Sequence, residues 1–188
     1  MILLFLLNFA GSIGPTVGYY FPSLDSLNTW LQWRGNGEAK NKIGTSFTVG
    51  VEGKVHIGKS FTLELGADYF KAKSQDKERS LLLVPVDAYL SYRYMILPRL
   101  IYFYLGAGYE LCLVDYEGDI LGEKSGWGSG IPVKASIEFI PTANLGVEFS
   151  WGYRFVTADI DLKDPETGAG IPINLWGGFL KITLKREI

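Results

Sequence analysis

Residues 45–57 read TSFTVGVEGKVHI. Phe47, Val49, Val51, Val55 and Ile57 fall on one face of this stretch, and Ser46, Thr48, Gly50, Glu52, Lys54 and His56 on the other. Alternation with a period of two marks a strand with one face in apolar surroundings. The polar face is unusual, because it sets full charges beside glycine. The same split recurs in SIGPTVGYYFP (12–22), FTLELGADYF (61–70), VPVDAYLSYRY (84–94), IYFYLGAGYELCL (101–113), VKASIEF (133–139), LGVEFSWGYRF (145–155) and WGGFLKITLK (176–185). Eight strands are therefore expected.

Their connections alternate in length. Tight turns are expected at Gly58-Lys59, at Leu97-Pro98-Arg99 and at Pro141-Thr142-Ala143-Asn144, and longer polar loops at Ser23–Lys42, Lys73–Ser80, Tyr116–Gly130 and Ala158–Asn174. Short turns at one rim and long loops at the other are the order of an up-and-down barrel. A Greek-key sandwich has crossovers that do not alternate in this way. The fold expected is all-β: an eight-stranded antiparallel up-and-down transmembrane β-barrel, with short periplasmic turns and longer outer loops. One domain is expected over 11–188. Residues 1–10 (MILLFLLNFA) resemble the remnant of a secretory signal peptide. The apolar run Ile2–Leu7 is far shorter than the roughly 20 residues of a spanning helix.

Period two does not say which face is inside, and a soluble lipocalin-like barrel alternates in the same way. Three features favour lipid outside. The apolar face is sorted by height: Phe47, Tyr69, Tyr153, Phe155 and Trp176 towards the long loops, Phe61, Tyr92, Tyr94, Phe103 and Phe139 towards the tight turns, and aliphatic residues such as Leu65, Val86, Leu105 and Ile182 between. Aromatic rings prefer the headgroup level of a bilayer. Second, the polar face mixes charges of both signs with Gly50, Gly66, Gly106, Gly108, Gly146 and Gly152. The interior of an eight-stranded barrel is just wide enough for side chains, and glycines make room there for long ones. Third, the strands are long enough to cross a bilayer at a tilt, which takes about 9–11 residues.

With those features in view, VGYYFPS (17–23), LELGADYF (63–70), YLGAGYEL (104–111) and VEFSWGYRF (147–155) resemble the small eight-stranded outer-membrane barrels of the OmpA/OmpX and OmpW-like group. The resemblance implies a location in the bacterial outer membrane and a porin-like envelope protein. For the OmpW-like members it also implies passage of small apolar solutes.

Little in the sequence points to chemistry. The only histidine, His56, lies beside a tight turn next to Lys54 and Glu52, where a packed polar residue is expected rather than a base. Carboxylate pairs such as Glu64 and Asp68 are expected to be bridged by Lys134 or Arg154 rather than poised for acid–base work. The single cysteine, Cys112, excludes an internal disulfide and a thiolate-rich metal site. Asp161, Asp164 and Glu166 in DLKDPETGAG (161–170) read as a solvated turn. No catalysis, cofactor or metal is expected. A net charge of −2 without a Lys/Arg cluster argues against nucleic acid as a partner.

Two sets of residues remain as candidates. Glu52, Lys54, Glu64, Asp68, Asp87, Arg93, Glu110, Lys134, Glu138, Glu148, Arg154 and Lys181 form an expected lumenal charge network that leaves no open pore. The first loop carries a short helical period at Leu24, Leu27, Trp30 and Leu31, and Leu27, Trp30, Trp33 and Trp127 form a candidate hydrophobic site. Membrane lipids are the expected partners. A structural or interaction role is expected first, and passage of a small apolar ligand is the alternative. If the faces were inverted, a soluble ligand carrier would follow.

Overall fold

A computed structural model describes residues 11–34, 43–74, 78–118, 122–142, 144–161, 170 and 172–187, with the side chains of Trp30, 32–34 and Glu187 excepted. The expected leader 1–10 lies outside them. Eight long strands follow one another: β1 (Gly11–Ser23), β2 (Ser46–Ile57), β3 (Phe61–Lys73), β4 (Arg79–Leu97), β5 (Ile101–Gly118), β6 (Gly122–Thr142), β7 (Leu145–Asp159) and β8 (Trp176–Glu187). A two-residue strand, Ile173–Asn174, pairs with β7 just before β8. The only helix among the described residues is α1 (Asp25–Arg34).

Each strand pairs antiparallel with the next, and β1 pairs with β8, so the sheet closes on itself. Closure removes every unpaired edge, which a lipid-exposed sheet requires. The tight turns are short because their backbones reach the left-handed region, at Gly58 (φ 66°) and at Arg99 (φ 60°). We call the end with these turns the lower end, and the end carrying α1 the upper end.

The apolar face points outward. Leu65, Val86, Leu90, Leu105, Phe149, Leu180 and Ile182 are all exposed, whereas Glu52, Lys54, Glu64, Asp87, Lys134 and Glu148 are buried. The inverted arrangement of a soluble carrier is therefore not what the chain builds. Tyr19, Phe21, Phe47, Tyr153, Phe155 and Trp176 make ring contacts towards the upper end, within strands (Tyr19–Phe21, Tyr153–Phe155) and between them (Tyr19–Phe47, and Phe155–Trp176 at 5.9 Å). Phe61 and Tyr92 pair at the lower height, 5.8 Å apart. From Leu145 to Phe155 the chain takes ten steps of roughly 3.3 Å. At a tilt of about 40° that rise matches the roughly 25 Å apolar band of outer-membrane barrels.

Above the upper aromatic belt both faces change polarity. On β3 the outward row passes from Leu65 and Tyr69 to exposed Lys71 and Lys73, while the inward row passes from Glu64 and Asp68 to buried Phe70 and Ala72. On β5 Asp115 and Glu117 turn outward and Cys112, Val114 and Tyr116 inward; β7 does the same with Thr157 and Asp159 against Val156 and Ala158. The upper storey is thus built like a water-soluble barrel, with its apolar side chains inside.

Strands run further up than the alternation alone suggests. The segment 116–130, expected as a loop, is mostly strand, because Gly126, Gly128 and Gly130 press against β7. A Cβ on Gly126 would lie 1.8 Å from the Asp159 carbonyl oxygen, and one on Gly130 2.0 Å from that of Phe155. These glycines are close-approach positions rather than loop formers.

Candidate functional site

The lumen is filled in tiers. In the membrane-spanning storey six side chains form a closed ring of alternating charge. Glu64 meets Lys134 at 2.5 Å, Lys134 meets Glu52 at 3.0 Å, and Glu52 meets Lys185 at 3.1 Å. Lys185 then pairs with Glu148, Glu148 with Lys54 at 2.6 Å, and Lys54 with Glu64 at 3.5 Å. Strands β2, β3, β6, β7 and β8 all contribute, so the ring braces opposite walls. Glu138 reaches Lys185 at 3.8 Å and accepts a hydrogen bond from Tyr104, whose ring carries the Lys54 ammonium 3.5 Å above it.

A second tier sits higher. Arg154 holds Asp68 at 2.8 Å and Asp87 at 3.3 Å through Nη2, and Glu110 at 3.3 Å through Nε. Lys181 shares Asp68. The guanidinium lies between the rings of Tyr20 and Phe179, 5.3 and 5.1 Å from their centroids. Buried charges need oppositely charged partners, and both tiers supply them by ion pairing across the lumen. The inward glycines sit opposite the carboxylates: a Cβ on Gly66 would lie 2.4 Å from Asp87 Oδ1, and one on Gly50 2.4 Å from Asp68 Oδ1.

Above the charges comes an apolar seal. Tyr20, Phe70, Leu81, Leu83, Val114 and Val156 line the upper storey, and Leu24, just before α1, joins Leu27 and Leu31 of α1 in the same apolar cluster, all three buried. Their spacing puts the leucines on one helical stripe. The helix is tied down by polar contacts. Asn28 donates to the Ile43 carbonyl at 3.0 Å and accepts from the Ile43 amide at 2.9 Å, and the Asn174 amide donates to Ser26 at 3.3 Å.

The residues expected from sequence fall as follows. Glu52, Lys54, Glu64, Lys134, Glu138 and Glu148 meet in the lower tier, with Lys134 on Glu64; Asp68, Asp87, Glu110, Arg154 and Lys181 meet in the upper tier, with Arg154 on Asp68. Arg93 joins neither, because it stacks 3.9 Å over the Tyr102 ring at the lower mouth. Lys185 was not among the expected residues, although it has the inward parity of Lys181 and Thr183 and is fully buried. His56 faces Thr62 Oγ1 at 3.2 Å at the lower end.

Of the hydrophobic set, Leu27 and Trp127 lie apart. Leu27 is inside the cap, while Trp127 stands on the outer wall of β6, 65% exposed. The side chains of Trp30 and Trp33 lie outside the described residues, as do Asp164 and Glu166 of the acidic turn. Oxygens of Glu52, Glu64 and Glu148 approach one another within 4.8 Å, a spacing that suits a cation. The ammonium groups of Lys54, Lys134 and Lys185 already supply that positive charge between them.

No protein-family model and no curated protein matches the chain. Solved structures do. Neisserial surface protein A superposes with a TM-score of 0.57 at 16% identity, over 96% of this chain and 97% of that one. The N-terminal β-barrel domain of Pseudomonas aeruginosa OprF gives 0.54 at 12%, over 94% and 96%. Ail, the attachment invasion locus protein of Yersinia pestis, gives 0.52 at 11%, over 95% and 99%, in complex with the heparin analogue sucrose octasulfate. The closed sheet, the lipid-facing wall and these likenesses agree: the chain has the fold of the small eight-stranded outer-membrane β-barrels.

Proposed function

We propose that this protein is a closed scaffold of the bacterial outer membrane, acting through structure and through contacts made by its upper storey rather than by conducting solutes. One observation carries the reading: the lumen is blocked twice, by the alternating six-ion ring and by the leucine-capped apolar storey. Moving an ion through would mean breaking pairs that brace opposite walls, and moving water through would mean lifting α1. The proposal includes no catalytic step, since the one histidine is held at the lower end, away from the upper surface.

Planar-bilayer recording of the purified barrel tests it. The expected result is a silent membrane at protein levels where a porin control opens steps. Stepwise conductance of the wild-type barrel would overturn the reading.

A second reading, passage of small apolar solutes, is favoured by one feature of the wall. A groove of about 480 Å³ bounded by Phe21, Trp151, Tyr153 and Leu180 reaches the inward-facing Phe179 and Lys134 beside Gly152 and Gly178. Under that reading, proteoliposomes take up a small apolar dye faster than empty vesicles, and Gly178→Leu abolishes the gain.

A further inference from the structure

The outward rungs of β6 and β7 change character with height. Ile131 pairs with Phe155 in the upper aromatic belt, and the next rung is Ser129 with Thr157, both polar and exposed. Above that polar rung Trp127 pairs with Asp159. The ring stands above a polar rung, at the end of the outward apolar row Val84–Leu113–Trp127 and beside the charged rungs of β5 and β6. On its other side Trp127 pairs with Leu113, and the following rungs bring Asp115 beside Ser125 and Glu117 beside Glu123. Carboxylates therefore stand directly across from the indole, at Asp159, and diagonally, at Asp115.

These acids are available. Asp115, Glu117 and Glu123 make no ion pair among the described residues, and Asp159 uses Oδ1 only to accept the Asp161 amide at 2.9 Å. Lys124, on the same hairpin, pairs with Asp161 at 3.6 Å. The platform is also rigid, since the rungs are continuous ladder and Gly126 and Gly130 lock β6 against β7. An exposed tryptophan on a fixed surface is the residue type most enriched at the energetic centres of interfaces. A π face flanked by carboxylates is complementary to a guanidinium or ammonium group, by cation–π attraction and charge-assisted hydrogen bonding together.

We propose that the outer face of the β5–β6 hairpin docks a segment rich in arginine and lysine on a partner protein, with one cationic side chain on the Trp127 ring and held by Asp115 or Asp159. The site rests on the reading that this barrel works through contacts of its upper storey, and it supplies the chemistry of the partner. It is opposite in sign to what a sulfated sugar would require.

The test uses the full chain folded in phosphatidylcholine nanodiscs and a labelled dodecapeptide of alternating arginine, lysine and serine, read by fluorescence anisotropy. Saturable binding is expected, weakened about ten-fold by Trp127→Ala and by Asp115→Asn/Asp159→Asn, and about three-fold by Trp127→Phe. Asp25→Asn, an exposed acid outside the hairpin, should change affinity less than two-fold. Retained heat-modifiability of each variant shows that it is folded. Unchanged affinity in Trp127→Ala would overturn the proposal, because net charge alone would then explain the attraction. So would absence of binding to the wild type, or strong quenching of Trp127 by lipids brominated high on their chains, which would put the ring in the bilayer. A silent barrel that fails to bind refutes this site and leaves the closed scaffold standing. A conducting barrel that binds through Trp127 does the reverse.

Discussion

Lys54→Met is the sharpest probe of the ring. Lys54 lies 2.6 Å from Glu148 and 3.5 Å from Glu64, with all three side chains fully buried. Methionine keeps most of the volume, so little packing is lost. What is lost is the charge that joins two carboxylates. At an effective dielectric constant of about 20 the two attractions come to roughly 6 and 5 kcal/mol before dehydration is counted. Dehydration of the ammonium offsets much of this, and removing one partner of a buried pair leaves a net loss of about 3–5 kcal/mol. Urea unfolding in phosphatidylcholine vesicles, followed by the heat-modifiable band, measures it. Lys59→Met, in an exposed turn, should stay within about 0.5 kcal/mol of wild type. Adding Glu148→Gln to Lys54→Met should restore at least about 1 kcal/mol, since Lys134 then serves Glu64 and Lys185 serves Glu52. If Lys54→Met matched Lys59→Met, the ring would not be what holds the walls together.

Leu65→Arg should impair insertion by about 2–4 kcal/mol, as near the bilayer midplane, whereas Thr157→Arg, above the aromatic belt, should cost about 0–1 kcal/mol in the same vesicle assay. Gly66→Ala forces a methyl group to within 2.4 Å of Asp87 Oδ1 and should destabilise by roughly 1–3 kcal/mol; Gly44→Ala, with open space around it, should be close to neutral by urea midpoint. Leu27→Ala should remove about 2–5 kcal/mol from the packing of the cap and speed proteolysis near α1 while leaving insertion unchanged, as read by limited digestion of folded protein.

The fold was legible because a barrel wall imposes period two on every strand, and the sorting of Phe47, Tyr153 and Trp176 against Phe61 and Tyr92 fixed which face meets lipid. Which inward residues would touch was not legible. Lys134 and Glu52 are 82 positions apart, and their meeting depends on the stagger with which eight strands close. Lys185 shows how parity alone could have extended the network by one member. The upper storey was missed for a different reason. Each inward row was read as one polar face, although the rows change from Asp68 to Phe70, from Glu110 to Cys112 and from Arg154 to Val156 at a common height. Trp127 falls in the segment 116–130, expected as a polar loop, where Gly126, Gly128 and Gly130 instead permit close strand contact.

The change of polarity above the aromatic belt also sets the draught of the molecule, the depth at which it floats. Sinking by two residues would bring the cations Lys71 and Lys73 and the acids Asp115 and Asp159 towards hydrocarbon, at up to about 2–4 kcal/mol for each cation that reached the midplane. Rising by two would lift Leu65, Leu180 and their neighbours towards water. A barrel with uniform faces could bob with bilayer thickness. This one is ballasted from both sides, so a thinner or thicker membrane has to deform around it, and the upper storey keeps a fixed height above the headgroups.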